Sequence, residues 1–175
     1  MRILKLRPLI ANCRGFSVLG WLLMIPVGII VLLVLVFGFY EGRKAYWDSE
    51  VKTMCEKDGG VAIAHRIKLT SDQAIHLPRV NGRLSVGSEA LAGPATPVFS
   101  RLQQRTLREG NPTIVRYEEE IILRADNRVV ARAVIYGRSG GDFPSFAHPS
   151  RYSCPELSRV YTEISEIFDI EEKKR

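Results

Sequence analysis

Polar and apolar positions along this chain change their period three times. From Phe16 to Tyr40 there is no polar side at all: FSVLGWLLMIPVGIIVLLVLVFGFY runs for 25 residues without a charge. Crossing the hydrocarbon of a bilayer takes about 20 apolar residues in a helix, and lipid offers no hydrogen bonds to any other backbone. The run therefore predicts a membrane-spanning helix over 16–40, with Pro26 a kink that such a helix tolerates. Trp21 near one end, with Tyr40, Tyr46 and Trp47 near the other, suits the two interfacial aromatic belts. The rival is a cleaved signal peptide, whose apolar core runs about 7–15 residues to a small-x-small site. This core is longer, and FGFYEGRKAYW follows it with no such site. LIANC at 9–13 has the look of a lipoprotein box, but no apolar core precedes Cys13. The reading is an uncleaved signal-anchor.

Beyond the span the period becomes helical. In AYWDSEVKTMCEKDGG, Trp47, Val51, Met54 and Cys55 recur at helix spacing, and Gly59 is placed for a left-handed cap. VAIAHRIKLT then alternates: Val61, Ile63, His65, Ile67 and Leu69 share one face, with Arg66, Lys68 and Thr70 on the other, which predicts one half-buried strand. Residues 71–97 hold Pro, Gly and Ser without a period and are expected to form a loop with one helical turn. VFSRLQQRTLREGNP leans towards a strand that ends at Gly110-Asn111-Pro112.

TIVRYEEEIILRADNRVVARAVIYGR predicts a hairpin of two strands, 114–124 and 128–137, around Ala125-Asp126-Asn127, with Asn127 taking the left-handed position. That loop sets Arg124 opposite Arg128 and Glu120 opposite Arg132. One face carries Ile114, Arg116, Glu118, Glu120 and Ile122 beside Val130, Arg132, Val134 and Tyr136. The other, more apolar, carries Val115, Tyr117, Glu119, Ile121 and Leu123 beside Val129, Ala131, Ala133 and Ile135, its alanines leaving room for a helix. PELSRVYTEISEIFDIEEKKR supplies the helix, with Leu157, Val160, Tyr161, Ile164, Ile167 and Phe168 in one stripe and Lys173, Lys174 and Arg175 at its end. The fold class is α+β: one transmembrane helix, then a small domain of a helix, a three- or four-stranded antiparallel meander and a C-terminal helix.

Charge gives direction. Arg2, Lys5, Arg7 and Arg14 precede the span without an acid. Arg43, Lys44 and Lys52 follow it, mixed with Glu41, Asp48 and Glu50. Positive charge stays on the cytoplasmic side, so residues 1–15 are expected to form a basic cytoplasmic tail and 41–175 an extracytoplasmic domain. The net charge of +6 sits mostly in residues 1–40, which carry +4. The remainder is close to balanced, which argues against a nucleic-acid partner. Cys55 and Cys154 are the two cysteines of the exterior part, and an oxidising compartment joins such a pair. Their loop of about 100 residues is worth roughly 4–5 kcal/mol on the chain-entropy account. The alternative is two separate buried thiols. The only approach to a glycosylation sequon, Asn111, is spoiled by Pro112, and a bacterial inner membrane with a periplasmic domain fits best.

Candidate chemistry is sparse. His65, His76 and His148 show no HxH, HxxxH or HExxH spacing, so no metal and no cofactor are expected. Glu119 is the odd carboxylate on the face to be covered: either it reaches solvent from an edge, or it is buried with a partner such as Tyr117, His65 or an arginine. The stretch 137–152 is the candidate ligand or partner loop, because Gly140 and Gly141 permit backbone turns that aim amides at an anion, beside Ser139, Asp142, His148 and Arg151. No GxSxG elbow or P-loop accompanies them. The expected function is a non-enzymatic interaction module of the envelope, in an accessory or immunity-type role. It is anchored in the lipid bilayer through residues 16–40 and partnered by another envelope protein. The alternative is an envelope enzyme or ligand sensor that uses the 137–152 loop.

Overall fold

The computed structural model describes residues 18–143 and 148–171, with side chains from Met24 onward. The basic tail with Cys13, the start of the apolar run, the Trp21 side chain, Ser145 and Phe146 of the loop, and Lys173, Lys174 and Arg175 lie outside what is described. The chain is α+β: a long apolar N-terminal helix, a mostly antiparallel sheet and a C-terminal helix. It divides into two compact units at the bond between Phe39 and Tyr40.

Helix α1 spans Val18–Asp58, 41 residues with Pro26 inside it. It is long and apolar enough to cross a membrane, its most apolar 18-residue stretch having a mean hydropathy of 2.3. The separate helix expected after the span is part of α1, because EGRKAYW contains no proline to stop the turn-to-turn hydrogen bonds. Trp47, expected at a membrane interface, packs in the second unit. At the C-terminal end of α1 the Gly59 amide donates to the Cys55 carbonyl at 2.7 Å. A Cβ on Gly59 would meet that oxygen at 2.6 Å, and the positive φ of 115° belongs to Gly60. The close approach rather than a left-handed cap thus demands Gly59.

The main sheet is built from β5 (Val98–Arg108), β6 (Thr113–Leu123) and β7 (Arg128–Ser139) as an antiparallel meander. Two short strands, β1 (Gly60–Ile63) and β8 (Arg151–Cys154), share the far edge of β7 end to end. The predicted β6–β7 register holds from Thr113 opposite Ser139 to Ile121 opposite Ala131, Glu120 with Arg132 included. It then slips at a bulge, so Ile122 faces Val129 and Leu123 faces Arg128, not Arg124. Asn127 has the expected positive φ, 54°. An extra residue in one strand turns neighbouring side chains to the same side. Val130 accordingly joins the core beside Ala131, whereas Val129, expected in it, is 36% exposed.

The same bulge breaks the long strand expected over 61–70. The amides of Ala64 and His65 both donate to the Val130 carbonyl, at 2.9 and 3.1 Å. There the chain leaves β7 and continues as β2 (Ile67–Thr70), which pairs in parallel with β9 (Phe168–Glu171). His65 therefore sits exposed at a bend, not on an apolar strand face. The last helix is correspondingly shorter than its sequence pattern: α3 covers Leu157–Ser165, and Phe168 and Ile170 alternate in β9. Of its stripe, Leu157 and Tyr161 are exposed, while Val160, Ile164 and Ile167 are buried.

Within 71–97, α2 (Ser71–Ile75) starts on a capping box of Thr70 and Gln73. It is followed by a two-stranded hairpin, β3 (Arg79–Val80) and β4 (Arg83–Leu84), turned by Asn81 and Gly82 at positive φ.

Both faces of the main sheet are covered. Ile121, Ala131, Ala133 and Val130 pack with Val160, Ile164 and Ile167 and with Ile67 and Leu69. On the opposite face Ile114, Val134 and Tyr136 pack with Val51 and Cys55. Cys55 and Cys154 are joined in a disulfide with Cα atoms 5.9 Å apart. Ile121 is fully buried and Leu102 on β5 is 59% exposed. Ile121→Ala is therefore expected to lower unfolding stability by about 2–5 kcal/mol, and Leu102→Ala by less than about 0.5 kcal/mol, in denaturant titrations of unchanged m-value.

Candidate functional site

The loop that closes the main sheet is built around one buried cation. Arg138, near the end of β7, is only 2% exposed. Its Nε donates to Asp48 Oδ1 on α1 at 2.5 Å, and its Nη1 donates to the Gly140 carbonyl and, at 3.2 Å, to Ser150 Oγ. A buried guanidinium needs its charge matched and its donors bonded; here Asp48 matches the charge and Nε and Nη1 are bonded. Gly140 and Gly141 take φ of 84° and 95°. They do not aim amides at open space: Gly141 donates to the Asn111 side chain, and Gly140 donates to Ser150 O at 3.0 Å. A Cβ on Gly140 would lie 2.5 Å from Asn111 Oδ1. Asn111 in turn accepts from Arg43 of α1 through its carbonyl.

Asp142 is half-buried and accepts from the Ser150 amide at 2.8 Å. Burial alone would raise its carboxyl. The backbone amides of Ser150 and of Asp142 itself, the Ser150 hydroxyl and the Arg138 charge hold it below the usual carboxylate range. His148 is exposed. Ser139 and Arg151 are paired across β7 and β8 and line a groove of about 500 Å³ with Val115, Tyr117, Tyr152 and Leu157. Asp142 and His148 do not line it. Phe143 is 40% exposed and meets Tyr40 edge-on, ring centres 5.3 Å apart. The structure thus brings Ser139 and Arg151 together on one side of β7 and turns Asp142 inward to its own loop.

Glu119 lies on β6, an interior strand between Leu102 of β5 and Ala133 of β7. It is half-buried, and among the described residues it makes no ion pair. The charges that do pair lie on the α1 face. Arg116 binds Glu118 and, at 3.2 Å, Asp58; Arg132 reaches Glu118 and Glu120, both at 3.0 Å. The Tyr136 hydroxyl donates to Asp58 Oδ1 at 2.7 Å. That hydrogen bond first, and Arg116 after it, outweigh burial and hold the Asp58 carboxyl below its ordinary 3.8. Burial and then Asp58 push the Tyr136 hydroxyl up. No group of three metal-ligating side chains is found among the described residues.

The surface feature that the hydrophobic pattern did not single out is β5. It ends the sheet order β1-β7-β6-β5. Its first three residues are buried and the next eight, from Arg101 to Arg108, are all exposed. A parallel bridge from Ser88 covers Ser100, and among the described residues pairing on that edge stops there. The signal was present as an 11-residue run without an apolar period, VFSRLQQRTLR, which is how an uncovered edge strand reads.

Comparison with protein-family models, curated proteins and solved structures finds no match to this chain.

Asp48→Ala leaves the buried Arg138 charge with neutral acceptors only. A loss of about 3 kcal/mol is expected in chemical denaturation, the low end for a broken buried pair because Asp48 is 28% exposed. For Asp58 the sign follows from a depressed folded pKa. Its stabilisation is complete above the unfolded value near 3.8 and is lost as pH falls through the lower folded value. The thermal midpoint should therefore drop more steeply below about pH 4 in the parent than in Asp58→Asn.

Proposed function

We propose that this chain is a single-pass anchored protein that holds residues 41–175 on the oxidising, periplasmic side of a bacterial inner membrane. There the domain binds another envelope protein without catalysing a reaction, in an accessory or immunity-type role. The apolar part of α1 serves as the anchor, and the basic residues before it keep the amino terminus in the cytoplasm. A Cys55–Cys154 bond suits a compartment that keeps disulfides. The observation that carries the interaction reading is the open edge of β5, eight consecutive exposed residues whose outer backbone has no partner strand past Ser100 among the described residues. Such an edge is a template for another chain. The 137–152 loop is the weaker alternative, because Arg138 and Asp142 are already engaged in holding the loop itself.

Two measurements test the two halves of this reading. A reporter enzyme that works only when exported, fused after Arg175, should be active, and alkylation should label Cys55 and Cys154 only after reduction. Activity of a cytoplasm-only reporter, or two freely labelled thiols, overturns the placement. Photo-crosslinkers placed singly at exposed positions of the domain in native membranes should trap an envelope protein. Failure at every position overturns the interaction role.

A further inference from the structure

Resting on that reading, we infer that the outer edge of β5 over residues 101–108 is a strand-addition site. The occupant is an extended segment of another protein in which acidic residues alternate with apolar or neutral ones.

The backbone geometry comes first. The Ser100 amide donates to Gly87 O at 2.8 Å, and its carbonyl accepts from the Glu89 amide at 2.9 Å, so both groups of Ser100 point away from β6. In an antiparallel strand the two backbone groups of one residue point to the same side, and the side alternates at each residue. The register with β6 is unbroken from Val98 to Thr106. The amides and carbonyls of Leu102, Gln104 and Thr106 therefore face outward, while those of Gln103 and Arg105 belong to the ladder with β6. They form a complete row of donors and acceptors at the spacing an added strand requires.

Side chains set the chemistry of that strand. On the α1 face the edge presents Arg101, Gln103 and Arg105, opposite Glu120, Glu118 and Arg116. Arg101 is 51% exposed although it bonds Glu89 at 3.1 Å. Among the described residues Arg105 enters no ion pair, and its neighbour across the ladder is another arginine. On the opposite face the edge presents Leu102, Gln104 and Thr106. A strand laid beside β5 thus meets positive charge on one face and a neutral, partly apolar surface on the other, and period-two alternation in the partner satisfies both. A second copy of this chain is the wrong occupant, because antiparallel pairing of two β5 edges gathers Arg101 and Arg105 of both copies on one face of the seam. Charge of one sign on an edge rejects self-pairing and admits its complement.

The test uses the full chain in detergent and fluorescein-labelled peptides of about ten residues in which valine and threonine alternate with glutamate or, as control, with lysine. The glutamate peptide should bind at least about tenfold more tightly by anisotropy. Gln104→Pro removes an outward amide without touching the ladder to β6 and should abolish binding. Arg105→Glu, at an exposed position, should reverse the preference between the two peptides and carries the test if Gln104→Pro does not fold. No binding, equal binding of both peptides, binding that survives Gln104→Pro, or a dimer that Gln104→Pro dissolves would each overturn this proposal. Crosslinks to an envelope protein from another surface would leave the interaction role standing while removing β5 as its site.

Discussion

The β6–β7 hairpin has two apolar faces, and neither can be left in water. One carries Ile121, Ala131 and Ala133, the other Ile114, Val134 and Tyr136. A two-stranded unit of this kind is marginal alone and becomes stable only when something covers it. Everything else in the second unit follows from how the chain supplies two covers from distant segments: α3 with β2, β9 and α2 on one side, the end of α1 on the other. The Cys55–Cys154 bond ties the second cover to the sheet, since Cys154 lies opposite Tyr136 at the edge of β7.

This double cover also explains where the polar groups went. The loop after β7 has to return to β8 across the end of α1. It does so by folding around Arg138, whose charge is met by Asp48 of that helix. Asn111, Ser150 and Asp142 complete the closure through backbone contacts. Arg138, Asp142 and the two glycines thus fasten the loop to the rest of the domain, and Gly140 is required because Asn111 Oδ1 lies against its backbone.

The covers reach only the start of β5. Its first turn of residues is buried under the core and its remainder runs past it, so an uncovered strand edge and its arginines are left over once the hydrophobic demands are met. That inequality makes β5 the place where another chain is proposed to join the sheet, and the positive charge on it makes the choice of chain selective.

Much of this was legible locally. Twenty-five residues without a charge mark α1 as able to span a membrane, and strict alternation marks β6 and β7. Asn127 announces the turn, and the stripe of Val160, Ile164 and Ile167 announces a helix with one buried side. Asn81-Gly82 also carried a hairpin signal in a stretch read as loop. These features are legible because they depend on neighbours three or four positions away. The rest was settled by tertiary packing. The bulge at Val130 exchanges the roles of Val129 and Val130, bends the chain at His65, and sends Ile67 and Leu69 to a parallel partner that the pattern assigned to a helix. Phe168 and Ile170 fit a helical stripe or an alternating strand equally well. Only the edge offered by β2, a hundred residues earlier in the chain, decides between them, and no local period encodes a contact of that range.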